Sequence, residues 1–112
     1  MLKIIPNPEF KAPVKVVLPV DGGQREAGFT VKFRALTRSE QAAYDLGTPE
    51  GTDDFLANVV TGWDGLADED GEPFEFSALN LRQLLDLGYV RVGLTKAYFE
   101  ATSGIRAAKR GN

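Results

Sequence analysis

The chain has 112 residues, 43% of them hydrophobic, which is enough for one compact domain with a modest core and too little for two. It contains no His and no Cys, so the side chains most used for acid–base chemistry near neutral pH, transition-metal binding and disulfide frameworks are missing, and most enzyme classes go with them. A net charge of -3 and a pI near 4.9 speak against the basic stripe that nucleic-acid binding requires.

Residues 1–11, broken by Pro6 and Pro8 and carrying Glu9 and Lys11, predict a flexible N-terminal arm and interrupt any signal peptide. A single α+β domain is expected over 12–104. Val14, Val16, Leu18 and Val20 alternate with Lys15, Val17 and Pro19, the pattern of a half-buried strand. Pro13 and Pro19 lack a ladder N–H and place that strand at a sheet edge. Asp21-Gly22-Gly23 supplies a turn, and Phe29, Val31, Phe33 and Ala35 form the second strand of a β-hairpin, with a connection longer than two residues. No apolar stretch approaches the roughly 20 residues of a membrane span. The chain is therefore expected to be soluble, intracellular and free of membrane contact.

About four short α-helices should pack on the hairpin. Thr37 and Glu40 form a capping box ahead of a helix that runs to Leu46 and stops at Gly47 and Pro49. Thr52 reads as the next N-cap, with Asp53 and Asp54 suited to a helix N-terminus. From there Phe55, Leu56, Val59, Val60 and Trp63 share one apolar helical face, ended by Gly62 or Gly65. Residues 64–76 read as a loop or small hairpin turning at Asp70-Gly71. Ser77 then caps a helix bearing Leu81, Leu84 and Leu85, which stops near Gly88. A last helix over 89–102 carries Val90, Leu94, Ala97, Tyr98 and Ala101 on one face and Val92 and Phe99 on another. Gly104 ends it, and 105–112 is expected to be a flexible basic tail.

Charge is segregated along the chain. Residues 1–40 carry +3 and residues 77–112 carry +4, whereas residues 41–76 hold ten acids and no Lys or Arg. These blocks either neutralise one another across the surface or leave an acidic face toward a partner. An EF-hand laid on the acidic loop with Gly71 at its sixth position puts Leu66 and Ser77 where ligands are needed, so no calcium site is expected. Ser39, Ser77 and Ser103 have no histidine to activate them, and no phosphate-binding glycine motif occurs. No cofactor and no catalytic residue is assigned. The chemistry that remains is binding. The wide apolar circumference of the last helix places it either at the centre of the domain or against a partner, in which case Val92 and Phe99 form a docking or self-association surface, joined by Val16 and Leu18 of the edge strand and by Trp63, which reads as either a core anchor or an exposed contact.

The segment Val59-Val60-Thr61-Gly62-Trp63-Asp64-Gly65-Leu66, followed by Asp68-Glu69-Asp70-Gly71-Glu72-Pro73 and by Phe76-Ser77 opening a Leu-rich helix, resembles the tail assembly chaperones of long-tailed phages and prophages. The order of the elements agrees with that family, as does Ala97-Tyr98-Phe99-Glu100-Ala101 near the end, and the likeness spans roughly residues 12–110. The resemblance implies a non-enzymatic protein of the bacterial host cytoplasm. It would coat the aggregation-prone tape measure protein, work with other tail assembly proteins and be absent from the mature virion. A structural tail or connector protein retained in the particle is the competing class.

Overall fold

The computed structural model describes residues 1–103, so the predicted stop at Gly104 and the basic tail over 105–112 lie outside the described residues. The fold is α+β: an antiparallel three-stranded sheet, in the order β1-β2-β3, carries helices against one face. β1 (Glu9–Val20) and β2 (Gly23–Arg34) form the N-terminal hairpin, and β3 (Val60–Asp64) pairs with the base of β2. The helices are α1 (Arg38–Gln41), α2 (Pro49–Val59), α3 (Ala78–Leu85) and α4 (Gly88–Ser103).

The hairpin is longer at both ends than its alternation suggests. Its connection is only Asp21-Gly22, where Gly22 takes the positive φ of 78° that a tight turn needs, so the longer loop expected from the sequence is replaced by strand. Gln24, Arg25 and Glu26 are exposed on both faces, so no apolar rhythm marks them, yet their backbones pair with Pro19, Leu18 and Val17. At the other end β1 begins at Glu9, inside the expected arm, because Phe10 packs against Phe33 with ring centroids 5.6 Å apart. The Cα radius of gyration is 15.0 Å, against about 13 Å for a compact chain of this length. The distal hairpin, exposed from Pro19 to Gly28, projects from the body.

β1 is an edge strand, as Pro13 and Pro19 indicate. The Ala35 N–H donates to the Pro8 carbonyl at 2.9 Å, which sets the phase of the ladder. Even-numbered β1 residues turn their polar backbone groups toward β2, and odd-numbered ones turn theirs toward the open edge. Both prolines are odd, so neither breaks a ladder bond. Ala12, Val14 and Val16 point to the core opposite Phe29, Val31 and Phe33.

The capping box forms as predicted. Thr37 Oγ1 accepts the Glu40 N–H at 3.2 Å, and Glu40 Oε1 accepts the Thr37 N–H at 2.9 Å. α1 nonetheless lasts only four residues instead of reaching Leu46, because it has no buried residue to hold it. Hydrogen bonding of the Glu40 carboxylate to the Thr37 backbone, and then to the Asn7 side chain, holds its pKa below the ordinary 4.5. A carboxyl lowered in the folded state stabilises the fold above its unfolded pKa and loses that contribution as pH falls through the folded value. Replacing Glu40 with Gln should therefore flatten the acid limb of a stability–pH curve below 4.5, read by urea midpoints at stepped pH. A parallel, unchanged limb would show that the cap bears no such linkage.

Thr48, not Thr52, caps α2. Its Oγ1 accepts the Gly51 N–H at 3.0 Å, and Pro49, expected to stop the preceding helix, occupies the first helical turn, where its missing N–H costs nothing. The Thr52 hydroxyl instead donates to the Thr48 and Leu46 carbonyls. α2 ends at Val59, earlier than its apolar offsets predict, and Val60–Asp64 turn into β3. β3 skips Thr61 as its pairing moves from Lys32↔Gly62 to Phe33↔Val60. Gly65, with φ 88°, closes the strand rather than a helix.

Ser77 caps α3 through the Asn80 N–H at 3.0 Å, and Leu81, Leu84 and Leu85 are buried. Gly88 starts α4 instead of ending α3, which stops at Leu85. α4 runs against β1 at Gly93, where a Cβ would sit 2.8 Å from the Lys15 carbonyl oxygen. Phe33, Phe55 and Tyr98 meet edge to face at the centre of the core, with centroids 5.3 and 5.0 Å apart.

Candidate functional site

The expected contact residues separate into three environments. Val16 is 6% exposed and packs in the core under α4, so the strand rhythm that made it conspicuous turns it inward; it is not a contact residue. Leu18 is half-buried against the same core. Val92 and Phe99 do not form one stripe. Phe99 lies flat on Phe55, with centroids 5.8 Å apart and planes within 8°, and completes the core, while Val92 is 67% exposed.

Trp63 stands on β3, opposite Val31, rather than on a helix. Its Nε1–H donates to the Phe74 carbonyl at 2.6 Å, which consumes the polar edge of the indole and fixes its plane. The ring stacks parallel to Phe74, with centroids 5.9 Å apart, and receives Phe76 edge to face at 5.0 Å. Phe76 remains exposed, and Leu79, three residues on in the first turn of α3, is 70% exposed. The result is an aromatic shelf with an apolar rim. Phe76 and Leu79 were missed in the sequence; the only signal was Phe74 and Phe76 at a spacing of two inside an otherwise acidic loop.

That loop is built tightly. Gly71 has φ 82°, Ala67 bridges Pro73, and Asp68 Oδ1 accepts the Asp70 and Glu72 N–H groups at 2.9 and 3.0 Å. The turn predicted at Asp70-Gly71 is present. The acidic block itself divides in two. Asp53 takes Arg91 Nε at 2.9 Å and Asp54 pairs with Arg82 at 3.2 Å, so these acids tie α2 to α4 and α3 rather than capping α2. Asp64, Asp68, Glu69, Asp70, Glu72 and Glu75 make no ion pair among the described residues. Neutralisation thus reaches Asp53 and Asp54 but not Asp45 or Glu50, which make no ion pair among the described residues, and the loop leaves six more carboxylates facing solvent around the shelf.

A second feature includes Val92. An open groove of about 1050 Å³ runs between the hairpin and α4, with Ala12, Val14, Ala27, Phe29, Val92 and Ala97 among its lining. Among the described residues no three His, Cys, Asp or Glu side chains gather where they can hold a metal ion, and no helix is long and apolar enough to cross a membrane. The arrangement offers apolar contact and negative charge. No family model, no curated protein and no solved structure matches the chain.

Proposed function

We propose that this chain is a tail assembly chaperone of a long-tailed phage or prophage, which binds the tape measure protein and keeps it soluble in the host cytoplasm until the tail tube assembles. The observation that carries the reading is the Trp63–Phe74–Phe76 shelf with exposed Leu79, set among six carboxylates that make no ion pair among the described residues. An aggregation-prone client needs its apolar surface covered, and the complex then needs charge to repel its neighbours. The shelf supplies the first and the loop the second. The chemistry suits an amphipathic client segment with basic residues flanking apolar ones.

Trp63 is the one tryptophan in the chain and reports on the shelf directly. Titrating tape measure segments should change its fluorescence, with an affinity that weakens as salt screens the loop. Phe76→Asp combined with Leu79→Asp should reduce that affinity at least tenfold while leaving the circular dichroism spectrum intact, since both residues are exposed. Unaltered binding by the folded double variant would remove the shelf as the client site. Mass spectrometry of purified virions separates the chaperone from a structural tail or connector protein: the chaperone reading expects the chain to be absent from the particle.

A further inference from the structure

We propose that Asp21-Gly22, at the tip of the hairpin, is a site of aspartate isomerisation and, once isomerised, a substrate for enzymes that methylate isoaspartyl carboxyl groups. In this rearrangement the backbone nitrogen of the glycine attacks Cγ of the aspartate. The N–Cγ bond forms, the amide proton and a hydroxyl of the protonated carboxyl group leave together as water, and a cyclic succinimide results. Water then reopens the ring at either carbonyl. Addition at Cγ restores aspartate. Addition at the main-chain carbonyl leaves isoaspartate, in which the chain runs through Cβ and Cγ and the free carboxylate sits on Cα. The product has the mass of the starting chain, and water is the only reagent.

The chain has three Asp-Gly steps, Asp21-Gly22, Asp64-Gly65 and Asp70-Gly71. Glycine favours the attack at each, because no side chain shields its nitrogen or restricts its backbone, so local sequence does not rank them. The fold does. At Asp70-Gly71 the attacking nitrogen is already committed: the Gly71 N–H donates to the Asp68 carbonyl at 3.0 Å, and the Asp70 N–H donates to Asp68 Oδ1 at 2.9 Å. Asp64 is paired with Thr30 at the end of β3, and a Cβ on Gly65 would lie 3.7 Å from Phe29 Cβ, so the second step is packed against the sheet. Asp21 and Gly22 are the two residues left between the paired Val20 and Gly23. Both are exposed, and a Cβ on Gly22 would meet nothing within 4 Å. Among the described residues neither the Gly22 N–H nor the Asp21 carboxylate has a hydrogen-bond or ion-pair partner. The central peptide of such a turn can therefore rotate toward the carboxyl group with the hairpin intact, whereas the other two steps must first open a native contact. Isoaspartate lengthens the turn by one backbone carbon. The Val20↔Gly23 closure then loses its geometry and the tip of the ladder opens, while Ala12, Val14 and Val16 stay buried at its base.

The full chain, aged in warm neutral buffer and then digested, should accumulate isoaspartate at position 21 faster than at 64 or 70, read as peptides of equal mass and shifted retention and placed by electron-transfer fragmentation. An isoaspartyl methyltransferase supplied with labelled S-adenosylmethionine should label the aged chain. Asp21→Glu should lose most of that label, because glutamate closes the corresponding larger ring far more slowly. In guanidinium chloride, with the fold removed, the three rates should converge. Isoaspartate forming in the folded chain at 64 or 70 as fast as at 21, no accumulation at 21, or label that persists in Asp21→Glu would overturn the proposal. So would an unchanged ranking in guanidinium chloride, which would assign the selectivity to sequence rather than to the turn.

Discussion

Replacing Phe55 with Ala is expected to destabilise the protein by about 3–5 kcal/mol, the range for deleting a fully buried aromatic ring. Phe55 has no exposed surface and is the hub of the aromatic core, meeting Tyr44 at 5.9 Å, Tyr98 at 5.0 Å and Phe99 at 5.8 Å. Its ring neighbours come from the segment after α1 and from α4, which would both have to shift to fill the space. Collapse into the vacated space is therefore incomplete. Tyr98→Phe is the comparison that separates volume from polarity. It keeps the ring and loses only the hydroxyl that accepts the Leu36 N–H at 3.0 Å, for an expected cost of about 1–2 kcal/mol. Urea unfolding with a common slope reads both values. Equal losses from the two variants would mean that the hydrogen bond, not the packing, secures α4 on the sheet.

Gly93→Val should cost about 3 kcal/mol, at the upper end of overpacking penalties. Helix propensity argues the other way, since valine is a better helix residue than glycine by a few tenths of a kcal/mol. Geometry decides between them. A Cβ at position 93 would lie 2.8 Å from the Lys15 carbonyl oxygen, 3.0 Å from Val16 Cγ1 and 3.2 Å from Val14 Cγ1. The Lys15 oxygen belongs to backbone and cannot rotate away, so α4 must lift from β1, and the branched γ-methyls widen the gap further. Gly88, where a Cβ meets nothing within 4 Å, provides the control, and Gly88→Ala should be neutral or mildly stabilising. A neutral Gly93→Val would show that α4 rides loosely on the sheet. The groove walls would then be mobile.

The parts of this fold written in local chemistry were readable from the residues. The Thr37/Glu40 box, the Ser77 cap, the leucines of α3 and the edge position marked by Pro13 and Pro19 each depend on a few neighbouring side chains. What escaped depended on distant partners. Val60 and Trp63 fit the helical offsets of Phe55 and Leu56 as well as they fit a strand, and only pairing with Phe33 and Val31 decides for β3. Pro49 marks both the end of one helix and the first turn of another, and the Thr48 cap decides for the second. Val92 and Phe99 lie seven residues apart on one helix and looked alike. Phe55, from α2, covers one and leaves the other bare. Trp63 was recognised as a contact candidate, but its shelf is assembled from a loop whose acidity concealed Phe76.

The same segregation of charge seen along the chain now has a spatial meaning. Asp53 and Asp54 on α2 pair with Arg91 and Arg82, while the loop acids around the aromatic shelf make no ion pair among the described residues. That difference underlies the chaperone reading, because only the second group can confer charge on a bound complex.

The most direct test of that reading is co-expression with a tape measure protein, followed by measurement of the fraction that stays in the supernatant. The account predicts that the tape measure protein is largely insoluble alone, becomes largely soluble with the wild-type chain, and returns to the pellet with the folded Phe76→Asp, Leu79→Asp variant. A tape measure protein that is equally insoluble with and without the wild-type chain would contradict it.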